Sequence, residues 1–147
     1  MCIRDRMKTV LTGLALWLCT LGAMAQQQAA KPFQGRIGNA EYRIYIQMNF
    51  YDNNIEVPEQ ELLGTMSGFL GDSIDSRKWL ITSAKVRKNV ATLQIINDYG
   101  SEDLVATLTK NSDNTFTLKQ MDGSAIRIAR NRKWKKLPKE LVFVRSK

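Results

Sequence analysis

Residues 42–51 (YRIYIQMNFY) alternate between apolar and polar side chains along their whole length. The positions that share one side of an extended chain are Tyr42, Ile44, Ile46, Met48 and Phe50. The other side carries Arg43, Tyr45, Gln47, Asn49 and Tyr51. Successive side chains of a strand point to opposite faces, so this rhythm predicts a β-strand with one buried and one wetter face. A single strand cannot bury its apolar face alone, and the rest of the chain must therefore supply a sheet that covers it.

Residues 7–25 have the three parts of a signal peptide for Sec-type export. Lys8 is the positive start, residues 10–21 form a mostly apolar run, and residues 23–25 (AMA) match an A-x-A cleavage site. The run is shorter than the ~20 residues of a membrane span, which disfavours an anchor. Leu18 before Cys19 disfavours a lipoprotein, because lipidation needs a small residue there. We expect cleavage after Ala25 and a periplasmic or secreted mature protein without a transmembrane span.

The remaining N-terminal segments carry no fold pattern. Residues 1–6 (MCIRDR) are charged and unlike the start of an exported protein. They resemble a tail that recurs at the front of chains translated from assembled environmental reads, and we interpret them as a non-native leader scar. The polar residues 26–32 are expected to form a flexible leader of the mature chain. Residues 33–147 are long enough for one domain and too short for two ordinary ones.

The composition of the mature chain disfavours catalysis. Both cysteines, Cys2 and Cys19, precede the cleavage site, and the chain has no His. The mature chain therefore has no disulfide, no thiolate nucleophile and no Cys or His metal ligand. Its aspartates lie mainly at turns, and no pair of carboxylates is placed for hydrolysis. Its serines have neither a His to activate them nor a G-x-S-x-G elbow. We expect a protein that is not an enzyme and that has no cofactor.

Short alternating segments separated by turn residues continue to the C-terminus. Residues 62–70 predict a strand weakened by two glycines, Gly64 and Gly68. Residues 78–87 and 90–96 predict a hairpin about Lys88-Asn89, and Asp122-Gly123 is the strongest two-residue hairpin signal in the chain. Consecutive short strands with tight turns predict an all-β, antiparallel up-and-down meander of about eight strands. Closure removes exposed edges, so we expect the meander to close into a small β-barrel, with a two-sheet sandwich as the alternative.

The start of this domain resembles the opening of lipocalin-like barrels exported by Gram-negative bacteria. The resemblance rests on residues 33–38 (FQGRIG), followed by the alternation of residues 42–50. Lipocalins carry G-x-W there, with an Arg of the last strand stacked on the Trp. Here Gly35 is followed by Arg36 and Ile37 with no Trp nearby, although Arg145 does lie on the last predicted strand. The resemblance implies a barrel with an interior cup. It does not identify any residue of this chain as a binding residue.

Residues 127–139 (RIARNRKWKKLPK) form a basic segment without any acidic residue. From residue 127 onward there are nine basic residues against one acidic, a net charge of +8, whereas residues 26–126 carry ten basic and twelve acidic, a net charge of −2. A positive loop of this density attracts polyanions, and a Trp within it can stack on a sugar or lie at a lipid interface. The candidate anion-binding residues are Arg127, Arg130, Arg132, Lys133, Trp134, Lys135, Lys136 and Lys139. A solvated loop that only aids solubility is the alternative.

The wetter face of the central strand is a second candidate site. Its aromatic and amide side chains could line a cup for an amphipathic ligand. The candidate ligand-binding residues are Tyr45, Gln47, Asn49 and Tyr51. If the apolar row faces inward instead, these four residues are only the outer cover of the barrel.

These features lead to three hypotheses for the function. The first is an exported, non-catalytic barrel that binds a small apolar or amphipathic ligand in its interior. The second is an interaction module that binds an anionic surface, a glycan or a protein partner of the cell envelope through residues 127–139, with nucleic acid disfavoured by export. The third is a structural or inhibitory periplasmic domain. An open or a filled barrel interior distinguishes the first hypothesis from the others.

Overall fold

The computed structural model describes residues 31–146. The predictions for residues 1–6 and 7–25, and most of the predicted leader 26–32, lie outside the described residues. The described chain from Pro32 onward belongs to one compact unit. Within it, no helix has both the length and the apolar character needed to cross a bilayer.

Eight strands close into an antiparallel barrel, which confirms the predicted meander and not the sandwich. The strands in chain order are β1 (Gln34–Asn39), β2 (Ile44–Asn49), β3 (Ile55–Glu56), β4 (Thr65–Met66), β5 (Gly68–Asp72), β6 (Trp79–Arg87), β7 (Val90–Asn97), β8 (Asp103–Lys110), β9 (Thr115–Gly123), β10 (Arg127–Arg130), β11 (Lys133–Lys136) and β12 (Glu140–Arg145). Strands β3 and β4 form one two-stranded ribbon and β10 and β11 another, and the other eight form the barrel. Pairing of β1 with β12 closes it, so no barrel strand keeps a free edge.

Strand β2 has the two faces that its alternation predicts. Ile44, Ile46 and Met48 are buried, and they point into the barrel, where they join the main apolar cluster. Tyr45 and Gln47 lie between them on the outer face and are half-buried. The hydrophobic rhythm therefore assigns inside and outside correctly for residues 44–48, whereas Asn49 of the predicted wetter face is buried.

The barrel interior is filled with side chains. Every strand of the barrel contributes at least one buried apolar residue to a single cluster, as expected for a small eight-stranded barrel. Its larger members include Ile37, Ile46, Met48, Leu70, Ile81, Leu93, Ile95, Leu108, Phe116, Leu118 and Phe143. Most of them are almost fully removed from solvent, so burial of this cluster is the main force that stabilises the fold.

Phe33 closes the end of the barrel at which β1 begins. Its ring stacks on Phe50 at 5.8 Å between centroids and meets Phe116 edge to face at 6.1 Å. Arg145 of β12 lies with its guanidinium 5.0 Å from the Phe116 ring and donates to the carbonyl oxygens of Pro32 and Gln34. A side chain of the last strand, β12, thus holds the residues at the start of β1. The chain around Phe33 is fixed through both its backbone and the Phe33 side chain.

The connection between β2 and β5 packs a second, smaller apolar cluster on the outer wall. Val57, Phe69 and Leu80 are its buried members. The ribbon of β3 and β4 adds Ile55 and Met66 to this cluster. Part of the barrel exterior is therefore covered by the protein's own chain and is not open to a ligand.

Two local predictions were wrong. Asp122 and Gly123 belong to β9, opposite Val105 and Leu104, and form no hairpin. A register shift beside Val105 marks a bulge there, and Gly123 uses its positive φ of 99° to approach the Asp103 carbonyl. The strand predicted for residues 62–70 begins instead as a 3₁₀ turn, Glu61–Leu63. Both wrong predictions concern segments that contain glycine. Glycine is common in turns, in bulges and where two backbones approach closely, so its presence does not tell these structures apart.

The basic segment is a β-ribbon and not the predicted loop. Strands β10 and β11 pair from Arg127 opposite Lys136 to Arg130 opposite Lys133, and the turn residues Asn131 and Arg132 both have positive φ. Ile126, Ile128 and Leu137 belong to the main apolar cluster. The ribbon therefore covers one opening of the barrel. We call this the ribbon end, and antiparallel pairing places the β1–β2, β5–β6 and β7–β8 turns there too.

Candidate functional site

The two faces of the ribbon differ in how far their residues are buried. Residues that pair across an antiparallel ribbon share a face. Ile128 and Arg130 lie on the face that meets the barrel and are at least partly buried. Trp134 and Lys136 lie on the opposite face and are exposed. Of the residues predicted to bind anions, those in the paired strands are thus divided between two faces, while Arg132 lies in the turn and Lys139 follows the ribbon.

Arg130 joins the ribbon to the barrel. Its guanidinium forms a bidentate ion pair with Asp72, with Nη1–Oδ2 and Nη2–Oδ1 distances of 2.6 and 3.0 Å. The same group donates to the carbonyl oxygens of Tyr42 and Ala129, at 2.6 and 2.7 Å. Both terminal nitrogens of the guanidinium are thus bound to acceptors of the protein itself. Arg130, one of the predicted anion-binding residues, is therefore a positioning residue for the ribbon.

Arg127 and Lys135 are also engaged with the protein. Arg127 forms an ion pair with Glu102 at 3.3 Å, and its carbonyl oxygen accepts a hydrogen bond from the indole N–H of Trp79 at 3.1 Å. Lys135 places its ammonium group 5.1 Å from the centre of the Tyr42 ring. These contacts fix the two edges of the ribbon against the β7–β8 and β1–β2 turns.

Arg127 and Lys135 remain exposed despite these contacts, and four further exposed basic side chains of the segment form no such contact within residues 31–146. These four are Arg132, Lys133, Lys136 and Lys139. None of the four forms an ion pair with another residue in the range 31–146. Three of them lie on the ribbon and Lys139 follows it, and the ribbon has little freedom to move because apolar contacts and Arg130 both hold it. An anion that binds here meets several cations on a backbone that is already ordered, so binding costs little free energy for ordering the chain.

Trp134 forms a wall between two clefts at the ribbon end. Its side chain is 61% exposed, and the Arg77 guanidinium lies 4.6 Å from the centre of its ring. The first, which we call the aromatic cleft, has a volume of about 260 Å³ and is lined by Arg77, Trp79, Tyr99, Glu102, Arg127 and Trp134 together with neighbouring loop residues. The second, the basic cleft, has a volume of about 300 Å³ and is lined by Arg77, Ala129, Arg132, Lys133 and Trp134.

The four residues predicted to line a cup do not meet in one. Tyr45 packs in the outer cluster, edge to face with Phe69 at 5.9 Å and with the Arg36 guanidinium 3.6 Å from its ring centre. Gln47 lies beside it on the outer face of β2. We find these side chains on the outer wall because the apolar row of β2 takes the interior.

Asn49 and Tyr51 support the turn that ends β2. The Asn49 side chain accepts from the backbone N–H groups of Tyr51 and Asp52 and donates to the Asp52 carboxylate at 3.1 Å. The Tyr51 hydroxyl accepts a hydrogen bond from the backbone N–H of Phe33 at 3.2 Å. The Asn49 amide therefore holds the turn, and the Tyr51 hydroxyl holds the chain at Phe33.

The filled interior bears directly on the first functional hypothesis. A ligand in the interior would need a void among the central side chains. Those side chains are instead all buried in one cluster: Met48, Phe50, Leu93, Leu108 and Phe116. The clefts that line the ribbon end open instead to the surface. Residues 31–146 hold no group of three or more acidic side chains that could bind a metal ion.

No protein-family model, curated protein or solved structure matches this chain. The lipocalin-like resemblance therefore rests on the sequence features of residues 33–50 alone. What the geometry itself establishes is the closed eight-stranded barrel.

Sequence reasoning missed the part of the site that lies outside the basic segment. Arg77 and Tyr99 come from the β5–β6 and β7–β8 connections and reach Trp134 only through the fold. Tyr99 is 78% exposed, in the turn that follows β7. The sequence offered one signal for this part of the site, which was Tyr99 beside Gly100 in a short polar turn. Loops at the end of a rigid barrel often hold binding residues, so an aromatic residue in such a turn is a candidate.

Proposed function

We propose that this protein is a non-catalytic binding module of the cell envelope that binds an anionic partner through the β10–β11 ribbon. The observation that carries the proposal is the set of four exposed cations: Arg132, Lys133 and Lys136 on a ribbon that is fixed to the barrel, and Lys139 in the connection that follows it. A cationic surface of this kind gains affinity by releasing counterions from a polyanion. The predicted export signal supports a partner outside the cytoplasm.

The structural role of Arg130 supports this proposal over simple solubility. A segment that served only to keep the protein in solution would not need a buried bidentate ion pair or apolar anchors to hold its shape. Asp72 keeps only 4% of its side chain exposed in that pair. The interior-ligand hypothesis has less support, because a ligand would have to displace the packed core.

Charge reversal on the ribbon tests the proposal. Lys133, Lys136 and Lys139 are changed together to Glu, and the salt concentration that elutes the full chain from a carboxylated matrix is measured. The β6–β7 hairpin at the opposite end of the barrel offers a matched control, with Lys85, Arg87 and Lys88 also exposed. Both triple variants change the net charge equally, so only the position of the charge differs.

We expect the ribbon variant to elute at clearly lower salt than the control variant, with a shallower dependence of log K on log salt. Equal shifts in the two variants would show that net charge alone drives retention, and would refute the proposal. Pull-down from the native envelope with the wild type and both variants, followed by mass spectrometry of bound glycans and lipids, then identifies the partner.

A further inference from the structure

The aromatic cleft and the basic cleft share two residues but differ in their charge. Trp134 and Arg77 line both, since the guanidinium lies over the indole ring. Asp75 holds Arg77 in this position through an ion pair of 3.7 Å. The two clefts are therefore adjacent, and a ligand longer than one sugar unit can reach from one into the other across Trp134.

The aromatic cleft suits a ring that carries hydroxyl groups. Tyr99 and Trp134 offer exposed apolar ring surface at its walls. Asp98 and Glu102 line the same cleft, and their Oδ1 and Oε2 atoms accept no hydrogen bond from the part of the chain that the structure describes. Carboxylates accept readily from hydroxyl groups and repel anions. Three cationic residues line this cleft as well, so its charges are mixed, and of the two clefts only the basic cleft offers an anion a lining without carboxylates.

The basic cleft suits an anionic group. Three cationic side chains, Arg77, Arg132 and Lys133, line it without an acidic residue among them. Arg132 and Lys133 have no ion-pair partner within residues 31–146. An anion placed here meets a planar guanidinium that can bind a carboxylate through two hydrogen bonds.

We propose that the two clefts together form a binding site for an acidic sugar unit of a glycan. One sugar ring packs against Trp134 and Tyr99 and donates hydroxyl hydrogen bonds to Asp98 and Glu102. The carboxylate of that unit or of the next lies in the basic cleft, against Arg77, Arg132 and Lys133. This inference rests on the proposed function and names the class of its anionic partner as a uronate-containing glycan.

The size of the clefts agrees with a short segment of sugar chain. Their volumes of about 260 and 300 Å³ lie at or below the lower end of the roughly 300–1,000 Å³ found for drug-sized ligands. Each accommodates a small unit, and the open surface beyond them leaves room for the rest of a polymer. Bound sugar rings commonly offer an apolar face to such exposed aromatic rings, which cost little conformational entropy to order.

Calorimetric titration of the full chain tests this assignment with defined probes. The probes are oligogalacturonate and oligomannuronate of equal length, the methyl-esterified oligogalacturonate, and polyglutamate of matched charge. We expect at least one of the two uronates to bind, and to bind about tenfold or more tightly than both the neutral ester and the ring-free polyanion. Equal binding of polyglutamate and the uronates, or no binding of either uronate, would overturn the assignment.

Variants of Trp134 provide the second arm of the test. Trp134→Ala should weaken uronate binding about tenfold, as expected for loss of an aromatic anchor, whereas Trp134→Phe keeps a ring and should retain most of the affinity. Val144→Ala, on the exposed outer face of β12, is the control for loss of apolar surface. If Trp134→Ala binds uronate as the wild type does, the assignment fails. The charge-reversal experiment is independent of these results, so the anion-binding function can stand when the sugar assignment falls.

Discussion

Arg130 and Asp72 are 58 positions apart in the sequence and form a bidentate ion pair at the ribbon end of the barrel. Asp72 ends β5, and Arg130 ends β10, so the pair joins a barrel strand to the ribbon that covers the opening. The side chain of Asp72 is 4% exposed and that of Arg130 is 19% exposed. Together with the buried side chains of Ile128 and Leu137, this contact holds the ribbon that carries the exposed cations.

Removal of one member of this pair should destabilise the fold. Arg130→Leu leaves the Asp72 carboxylate buried without its partner, and we expect the free energy of unfolding to fall by about 2–4 kcal/mol, somewhat less than for a fully buried pair. Urea unfolding followed by circular dichroism measures the change. The double variant Asp72→Leu with Arg130→Leu should recover part of the loss, because no buried charge remains. Additive losses in the double variant would contradict this view of the pair.

Phe33 should be a major contributor to stability even though it precedes the first strand. Its ring is fully buried between Phe50 and Phe116. We expect Phe33→Ala to lower the free energy of unfolding by about 3–5 kcal/mol, since it removes a packed aromatic ring and leaves a cavity. Phe33→Leu should cost less. Val144→Ala, at an exposed position, should change stability by about 0.5 kcal/mol or less. A small effect of Phe33→Ala would mean that the barrel closes without this residue.

Gly68 is required by the close approach of β5 to β2. A Cβ atom at this position would lie 2.4 Å from the Gln47 carbonyl oxygen, and that backbone cannot move without disturbing the ladder. We expect Gly68→Ala to destabilise the protein by about 1–3 kcal/mol through overpacking. Gly38 is the matched control in β1, because a Cβ there meets only the Ile44 carbonyl oxygen at 3.9 Å. Thermal unfolding that ranks Gly38→Ala as the more damaging change would refute this explanation.

The barrel was predictable from sequence because its signal is local and repeated. Ile44, Ile46 and Met48 show the period of a half-buried strand without reference to any other element. Strand β11, by contrast, has the sequence KWKK and no apolar alternation. It becomes a strand only because it pairs with β10 over the barrel opening. Because all four residues of β11 are exposed to solvent, its sequence has no apolar alternation from which a strand could be predicted.

The candidate site was predictable only in part, for the same reason. Trp134 and the basic residues around it are adjacent in sequence, and their charge stands out. The partners that decide their roles come from elsewhere: Asp72 fixes Arg130, Glu102 engages Arg127, and Tyr99 faces the aromatic cleft. Such long-range contacts follow from the closure of the barrel, and no local pattern of charge or hydropathy encodes them.

The β8–β9 turn should make a small contribution to stability that depends on pH. The hydroxyl of Thr115 donates a hydrogen bond to Asp113, and this bond, with smaller contributions from backbone N–H groups and Lys110, holds the pKa of Asp113 below its usual 3.8. A carboxyl whose pKa is lower in the folded state stabilises the fold above its unfolded pKa. That contribution is lost as the pH falls through the folded value. The relevant window therefore lies below 3.8.

Two Thr115 variants separate this effect from packing. Thr115→Ser keeps the hydroxyl, whereas Thr115→Val removes it, and NMR titration of the Asp113 carboxyl should show the pKa rising toward 3.8 only in the second. Thr115 also accepts a hydrogen bond from Asn111, but an amide donor does not titrate. The stability difference between the two variants should therefore contain a part present at neutral pH and absent below the folded pKa. A difference that is constant across this range would show that Asp113 gains nothing from the hydroxyl.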